Sequence, residues 1–147
     1  MNEEDNNSIV EALQFFNEAI DDMISGAGLS KMSEAWHHTP DVTGKHPSGG
    51  WAHGWDEVWA TWQLLASFGR PEHAGSRLVP GSVNAHVYGD VAYATSMVQA
   101  SPAWGGERMM CTNVLRRIDG RWKLLHHHAD PSAKMAEALE RMLLEAT

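Results

Sequence analysis

Helical spacing of apolar residues as far as Ala66, period-two alternation from Ser82 onward, and an Asp119-Gly120 turn between two apolar-interleaved runs predict an α+β domain. Helices come first, a meander of strands follows, and one short helix closes the chain. In the first segment, Ser8 and Glu11 have capping-box spacing, so a helix is expected to start at Ser8. Ile9, Leu13, Phe16, Ile20, Met23 and Ile24 then recur every three or four residues, and Ser25 to Gly28 stops the helix. A shorter helix from about Ser30 to His37 buries Met32 and Trp36 and ends at Pro40. Asp41 to His46 reads as a short strand, closed by Pro47 to Gly50. A third helix starts near Asp56, with Trp55, Val58, Trp59, Trp62, Leu65 and Ala66 on a wide apolar face.

After a polar loop from Gly69 to Gly81, strands are expected over Ser82–Tyr88 and Val91–Ala100, joined at Gly89-Asp90. The Ser101–Gly106 connection leads to a hairpin from about Arg108 to Ala129, since Asp-Gly between such runs is among the strongest hairpin signals. Asp130-Pro131 reads as N-cap and first-turn proline of the closing helix, with Met135, Leu139, Met142 and Leu143 inward. Residues 1–147 form one domain, long enough to bury a core.

Composition excludes several classes. Eleven basic against nineteen acidic side chains give a net charge of -8. Nucleic acids and anionic membranes reward clustered Lys and Arg, so neither is expected as a partner. No apolar run approaches the roughly 20 residues of a membrane span, and the acidic start is not a signal peptide. The single Cys111 excludes an intramolecular disulfide and a Cys-rich zinc site, and fits a cytoplasmic protein. Five of the seven tryptophans fall between Trp36 and Trp62, which concentrates aromatic area in one region.

Order and spacing of several segments resemble the nuclear transport factor 2-like superfamily, on its SnoaL-like and calmodulin-kinase hub side. The carriers are Trp36, Asp41-Val42-Thr43, His46-Pro47-Ser48-Gly49-Gly50, Gly54-Trp55-Asp56-Glu57-Val58, Asn84 to Asp90, and Arg117 to Asp130. The resemblance covers nearly the whole chain. It implies a cystatin-like curved antiparallel sheet packed on N-terminal helices, a cone with an internal cavity, built as a homodimer. It implies function far less, because the fold hosts isomerases, cyclases, dehydratases, hub domains and carriers.

The resemblance also locates positions. In ketosteroid isomerase-like relatives the general-base Asp stands just before a Pro at the end of the first strand, and the matching residue here is His46. The phenol that those enzymes place on the first helix has no counterpart, since Ser8 to Ile24 contains no Tyr. Hub relatives carry arginines on the last hairpin where this chain has Asn113 and Ala129. Val58, Trp62 and Ala66 match cavity-facing positions, and Trp36 and Leu125 join them as candidate ligand contacts.

Hairpin register decides which histidines face inward. A two-residue loop at Asp119-Gly120 sets Asn113 beside His126. A three-residue loop beginning at Ile118 pairs Arg117 with Arg121 and sets Asn113 opposite Leu125. The second is preferred, because only then do the family's cavity positions share a face. Cys111, Asn113, Leu125, His127 and Ala129 then line the cavity, while Trp122, Leu124, His126 and His128 occupy the other face, where a partner subunit is expected to cover Trp122 and either His126 or His128.

The expected ligand is a small, neutral organic molecule. Two readings stand: cofactor-free acid/base catalysis of isomerase, dehydratase or hydratase type, or a non-catalytic binding or oligomerisation module. In the first, His46 is the base, His127 an acid or second base, and Asn113 holds the substrate oxygen. His126 and His128, two apart on one strand face, raise a metal reading, which lacks a third ligand from that face. No metal or other cofactor is expected.

Overall fold

The structure is a computed structural model and describes residues 3–47, 49–75 and 78–146. Helix α1 spans Glu3–Ser25, α2 Ser30–Ala35, α3 Gly54–Ala66 and α4 Ala133–Ala146. Strands are β1 Thr43–His46, β2 Gly49–His53, β3 Leu78–Tyr88, β4 Val91–Ala100, β5 Arg108–Ile118 and β6 Arg121–Ala129. They form one six-stranded sheet in the order β2-β1-β6-β5-β4-β3, antiparallel throughout except where β1 lies parallel to β6.

Helix α1 begins five residues before the capping box. Glu3, Glu4 and Asp5 occupy its first turn, where acidic groups complement the helix dipole. Ser8 is therefore inside the helix, donating to the Asp5 carbonyl at 3.0 Å. Its expected face is buried: Ile9, Leu13, Phe16, Ala19, Ile20, Met23 and Ile24 pack on the sheet and on α2 and α3. Strand β3 starts earlier than Ser82, and a register shift between Pro80 and Val83 explains why its first residues do not read as one alternating run. Strand β2 has no counterpart in the sequence reading. Two glycines, and Ala52 as the one buried residue among those whose burial is described, leave it without a strand pattern.

The last hairpin corrects the register. Ile118 pairs with Arg121, so the loop is the two residues Asp119 and Gly120, with φ of 51° and 78°. Positive φ at both positions is the type I′ turn that Asp-Gly favours. The pairing then slips: Leu115 faces Leu124, but Val114 faces His126. Leu125 is the extra residue of a β-bulge. Inward-facing residues on β6 are consequently Trp122 and Leu124 before the bulge, then His127 and Ala129 after it. Trp122 and Leu124 thus belong to the helix-facing core. The Trp122 indole N–H donates to Ser8 Oγ at 3.2 Å, and the Arg117 guanidinium lies 4.6 Å over its ring.

Helix α4 is capped two residues later than expected. The Met135 N–H donates to Ser132 Oγ at 3.0 Å, and that hydroxyl donates to Glu107 Oε1 at 3.0 Å. Asp130 instead closes the sheet edge, exchanging backbone and carboxylate hydrogen bonds with Met110. Gly105, at φ 95°, lies so close under α4 that a Cβ would stand 2.7 Å from that of Lys134. Met135 and Met142 are buried; the side chain of Leu143 lies outside the described residues. Among the described residues, no helix is long and apolar enough to cross a membrane.

Candidate functional site

Alternation along β4 and β5 sends Ser96, Val98, Met109, Cys111 and Asn113 to the concave side of the sheet. The bulge adds His127 and Ala129 from β6, and β1 contributes His46 from its last position. Facing them are Leu13, Phe16, Ile20 and Met23 of α1 and Trp62 and Leu65 of α3. These groups enclose a mostly apolar cavity of about 200 Å³, closed at one end by Trp104 and by Met135 and Leu139 of α4.

His46 and His127 are the ionisable core of this cavity, their ring centres 6.3 Å apart. His46 meets Trp62 edge to face at 4.5 Å. Its Nε2 lies 3.2 Å from the Thr61 hydroxyl, which in turn donates to the Val58 carbonyl at 2.7 Å. His127 meets Phe16 edge to face at 4.9 Å, and its Nδ1 lies 2.7 Å from Asn113 Oδ1. Asn113 and His127 are direct cross-strand partners, so this bond is fixed by register.

Burial sets their charge. Desolvation, then the Lys45 ammonium, brings the His46 pKa down to about 4. Desolvation, then His46, His126 and His128, brings that of His127 down to about 3. Both imidazoles are neutral at neutral pH, each able to accept a proton. His127 is therefore a second base or a hydrogen-bonding group, not an imidazolium acid. Burial, then Asp130, pushes the Cys111 thiol up to about 11, so it stays protonated and is no nucleophile.

The structure brings together His46, His127, Asn113 and Trp62 of the residues singled out in the sequence. Trp36 and Val58 are buried behind Trp62, and Ala66 is half-buried at the end of α3, but none of the three borders the cavity. Leu125, the bulge residue, is turned away from it. His126 and His128 point outward with ring centres 5.9 Å apart, and His126 Nδ1 lies 2.7 Å from the Thr43 hydroxyl. Among the described residues, no three His, Cys, Asp or Glu side chains are placed to hold a metal ion.

Thr61, Ser96, Phe16 and Trp104 were not anticipated at the site. The helical spacing marks Phe16 as core, which it also is. Thr61 carries no sequence signal, because its role depends on the end of β1 docking against the middle of α3.

A sequence model of the SnoaL-like domain matches residues 13–133. The F-box protein SKIP8 of Arabidopsis thaliana is 28% identical over 107 residues, or 73% of this chain and 44% of that protein. The chain thus spans less than half the length of that curated relative. Among solved structures, a nuclear transport factor 2-like family protein from Streptomyces avermitilis, provisionally assigned as a dehydratase, gives a TM-score of 0.67 at 24% identity, covering 87% of this chain and 96% of that one. A Nostoc punctiforme protein of unknown function with a cystatin-like fold gives 0.67 at 16% identity, over 90% and 95%. A Shewanella frigidimarina protein provisionally assigned as a ketosteroid isomerase gives 0.60 at 20% identity, over 82% and 92%. At these identities the likeness is one of fold, a cystatin-like α+β arrangement.

Proposed function

We propose that this chain, which belongs to the SnoaL-like domain family, binds a small uncharged organic molecule in its cavity and moves a proton on it with its own histidines. One observation carries the reading: two neutral imidazoles and the Asn113 amide converge on a mostly apolar void. A charged ligand would enter at a high desolvation cost with no opposite charge lining the cavity, whereas a neutral carbonyl compound would not.

In the reaction that fits, His46 takes a proton from the carbon beside a carbonyl, through the ring nitrogen not engaged with Thr61. The C–H electron pair passes into the enolate, whose oxygen is held by the Asn113 amide N–H. The imidazolium then returns the proton to a different carbon, which isomerises the substrate. Alternatively it gives it to a β-hydroxyl that leaves as water, which dehydrates it. Imidazolium and enolate form and vanish together, so the cavity never holds a lone charge.

A carrier without catalysis is favoured by one feature. His127, held against Asn113, cannot supply a proton as an imidazolium at neutral pH. A cytoplasmic setting belongs to the same proposal, since the buried free thiol of Cys111 needs no oxidant to persist.

Hydrogen–deuterium exchange at the α-carbon of a panel of small ketones, followed by NMR, separates the two. As an enzyme, the protein accelerates exchange on its substrate, and His46→Ala loses roughly 10²–10⁴-fold of that rate. Binding of a ketone with exchange no faster than in buffer leaves the carrier.

A further inference from the structure

The hydroxyl of Thr61 has one proton and stands 2.7 Å from the Val58 carbonyl oxygen, a group that can only accept. The proton therefore lies on that contact. What Thr61 offers His46 is a lone pair, so His46 Nε2, at 3.2 Å, carries the ring proton. On the other ring, Asn113 Oδ1 also only accepts, so His127 Nδ1, at 2.7 Å, carries the proton. A neutral imidazole has one N–H. The remaining nitrogens, His46 Nδ1 and His127 Nε2, hold lone pairs. Neither has a partner among the described residues, and neither is among the sealed, unpaired buried atoms. The Asn113 amide nitrogen is likewise unpaired and unsealed.

We propose that Thr61 and Asn113 are positioning residues that lock opposite tautomers of His46 and His127, so that the cavity presents two nitrogen acceptors beside the Asn113 amide donor. The ligand class complementary to this set is an uncharged hydroxylated carbonyl compound, with a hydroxyl donor for each imidazole and a carbonyl oxygen for Asn113. Simple ketones fill the void but leave both lone pairs unmet, and a buried unmet acceptor is costly. Carboxylates bring negative charge against two lone pairs. This ligand class rests on the reading of the cavity as the binding site, whereas the tautomers do not.

The tautomers are tested on the empty protein by long-range proton–nitrogen correlation spectra of histidine-labelled chain at pH 7. His46 should show its proton on Nε2 and His127 on Nδ1. In Thr61→Val the His46 signals should shift toward the other tautomer, with His127 unchanged, and Thr61→Ser should restore them. A purely structural role for Thr61 would not move a proton between ring nitrogens. Wild-type rings with both protons on the same type of nitrogen, or a Thr61→Val spectrum like wild type, would overturn the lock.

The ligand class is tested by titrating the protein with 2,4′-dihydroxyacetophenone, its dimethyl ether and 4-hydroxymandelate. The dihydroxy ketone should bind, and the ether should bind at least about tenfold more weakly for two lost hydrogen bonds. The acid should not bind. Absence of binding by the dihydroxy ketone, or equal binding of the ether or the acid, refutes the class while leaving the tautomer result standing. Binding with the expected preference but no proton exchange would instead refute catalysis alone.

Discussion

Acidification should cost this protein stability through His46 and His127 specifically. Both have folded-state pKa values below the ordinary histidine value of about 6.5, near 4 for His46 and 3 for His127. Between those values and 6.5 the unfolded chain binds more protons than the native one, so stability rises with pH across this window. It is fully present above about pH 6.5 and falls as pH drops toward 4 and then 3. At pH 5 the size of the effect needs only that both folded pKa values lie below 5. Protonating each unfolded ring through one and a half pH units is then worth about 2 kcal/mol, or roughly 4 kcal/mol for the pair. Domain stabilities are commonly about 5–15 kcal/mol, so roughly a quarter or more of the total is at stake. Urea unfolding followed by tryptophan fluorescence at pH 7 and pH 5 measures it. The reference is the double variant His46→Gln/His127→Gln, which keeps polar groups in place but cannot titrate. Wild type should lose roughly 4 kcal/mol more than the double variant between the two pH values. A difference under about 1 kcal/mol would mean that these rings are hydrated or charged in the native cavity, and the buried neutral pair would have to be abandoned.

Gly120 has open space around its Cα but sits at φ 78°, so Gly120→Ala should lower the urea-derived stability by about 1 kcal/mol through backbone strain alone. Ser132→Ala removes the acceptor of the Met135 N–H and the donor to Glu107. It should cost about 1 kcal/mol and speed amide exchange across the first turn of α4, the part of the cavity wall held by that cap. We also propose a homodimer through the convex sheet face, where Tyr88, Val91, Tyr93 and Met110 remain exposed. Light scattering at micromolar concentration should give twice the chain mass, and a chain mass would refute it.

How much of this was written in the residues differs from element to element. Helices α1 and α3 follow from apolar spacing, and β4 and β5 follow from strict alternation, because one face of each meets the core and the other does not. The Asp119-Gly120 turn was legible as a hairpin, and its chemistry already favoured the two-residue loop that forms. A two-residue loop carried straight down the ladder, however, would have set Asn113 beside His126. The three-residue alternative instead grouped Asn113 and His127 on the cavity face, but for the wrong reason. What joins them is the bulge at Leu125, and nothing local announces it. From Leu124 to His128 the chain reads two leucines and three histidines, so either parity puts one leucine and at least one histidine on each face. The choice is made from outside the strand. Trp122 and Leu124 fill the space under Ser8 and α2, while His127 must meet Asn113 across the ladder and Phe16 above it. One inserted residue satisfies both ends of the strand. The same logic explains Thr61, an unremarked helix position whose hydroxyl matters only because β1 delivers His46 to it. In this chain the histidines could be nominated from sequence, but the protons they carry depend on contacts that only the assembled sheet and helix bring together.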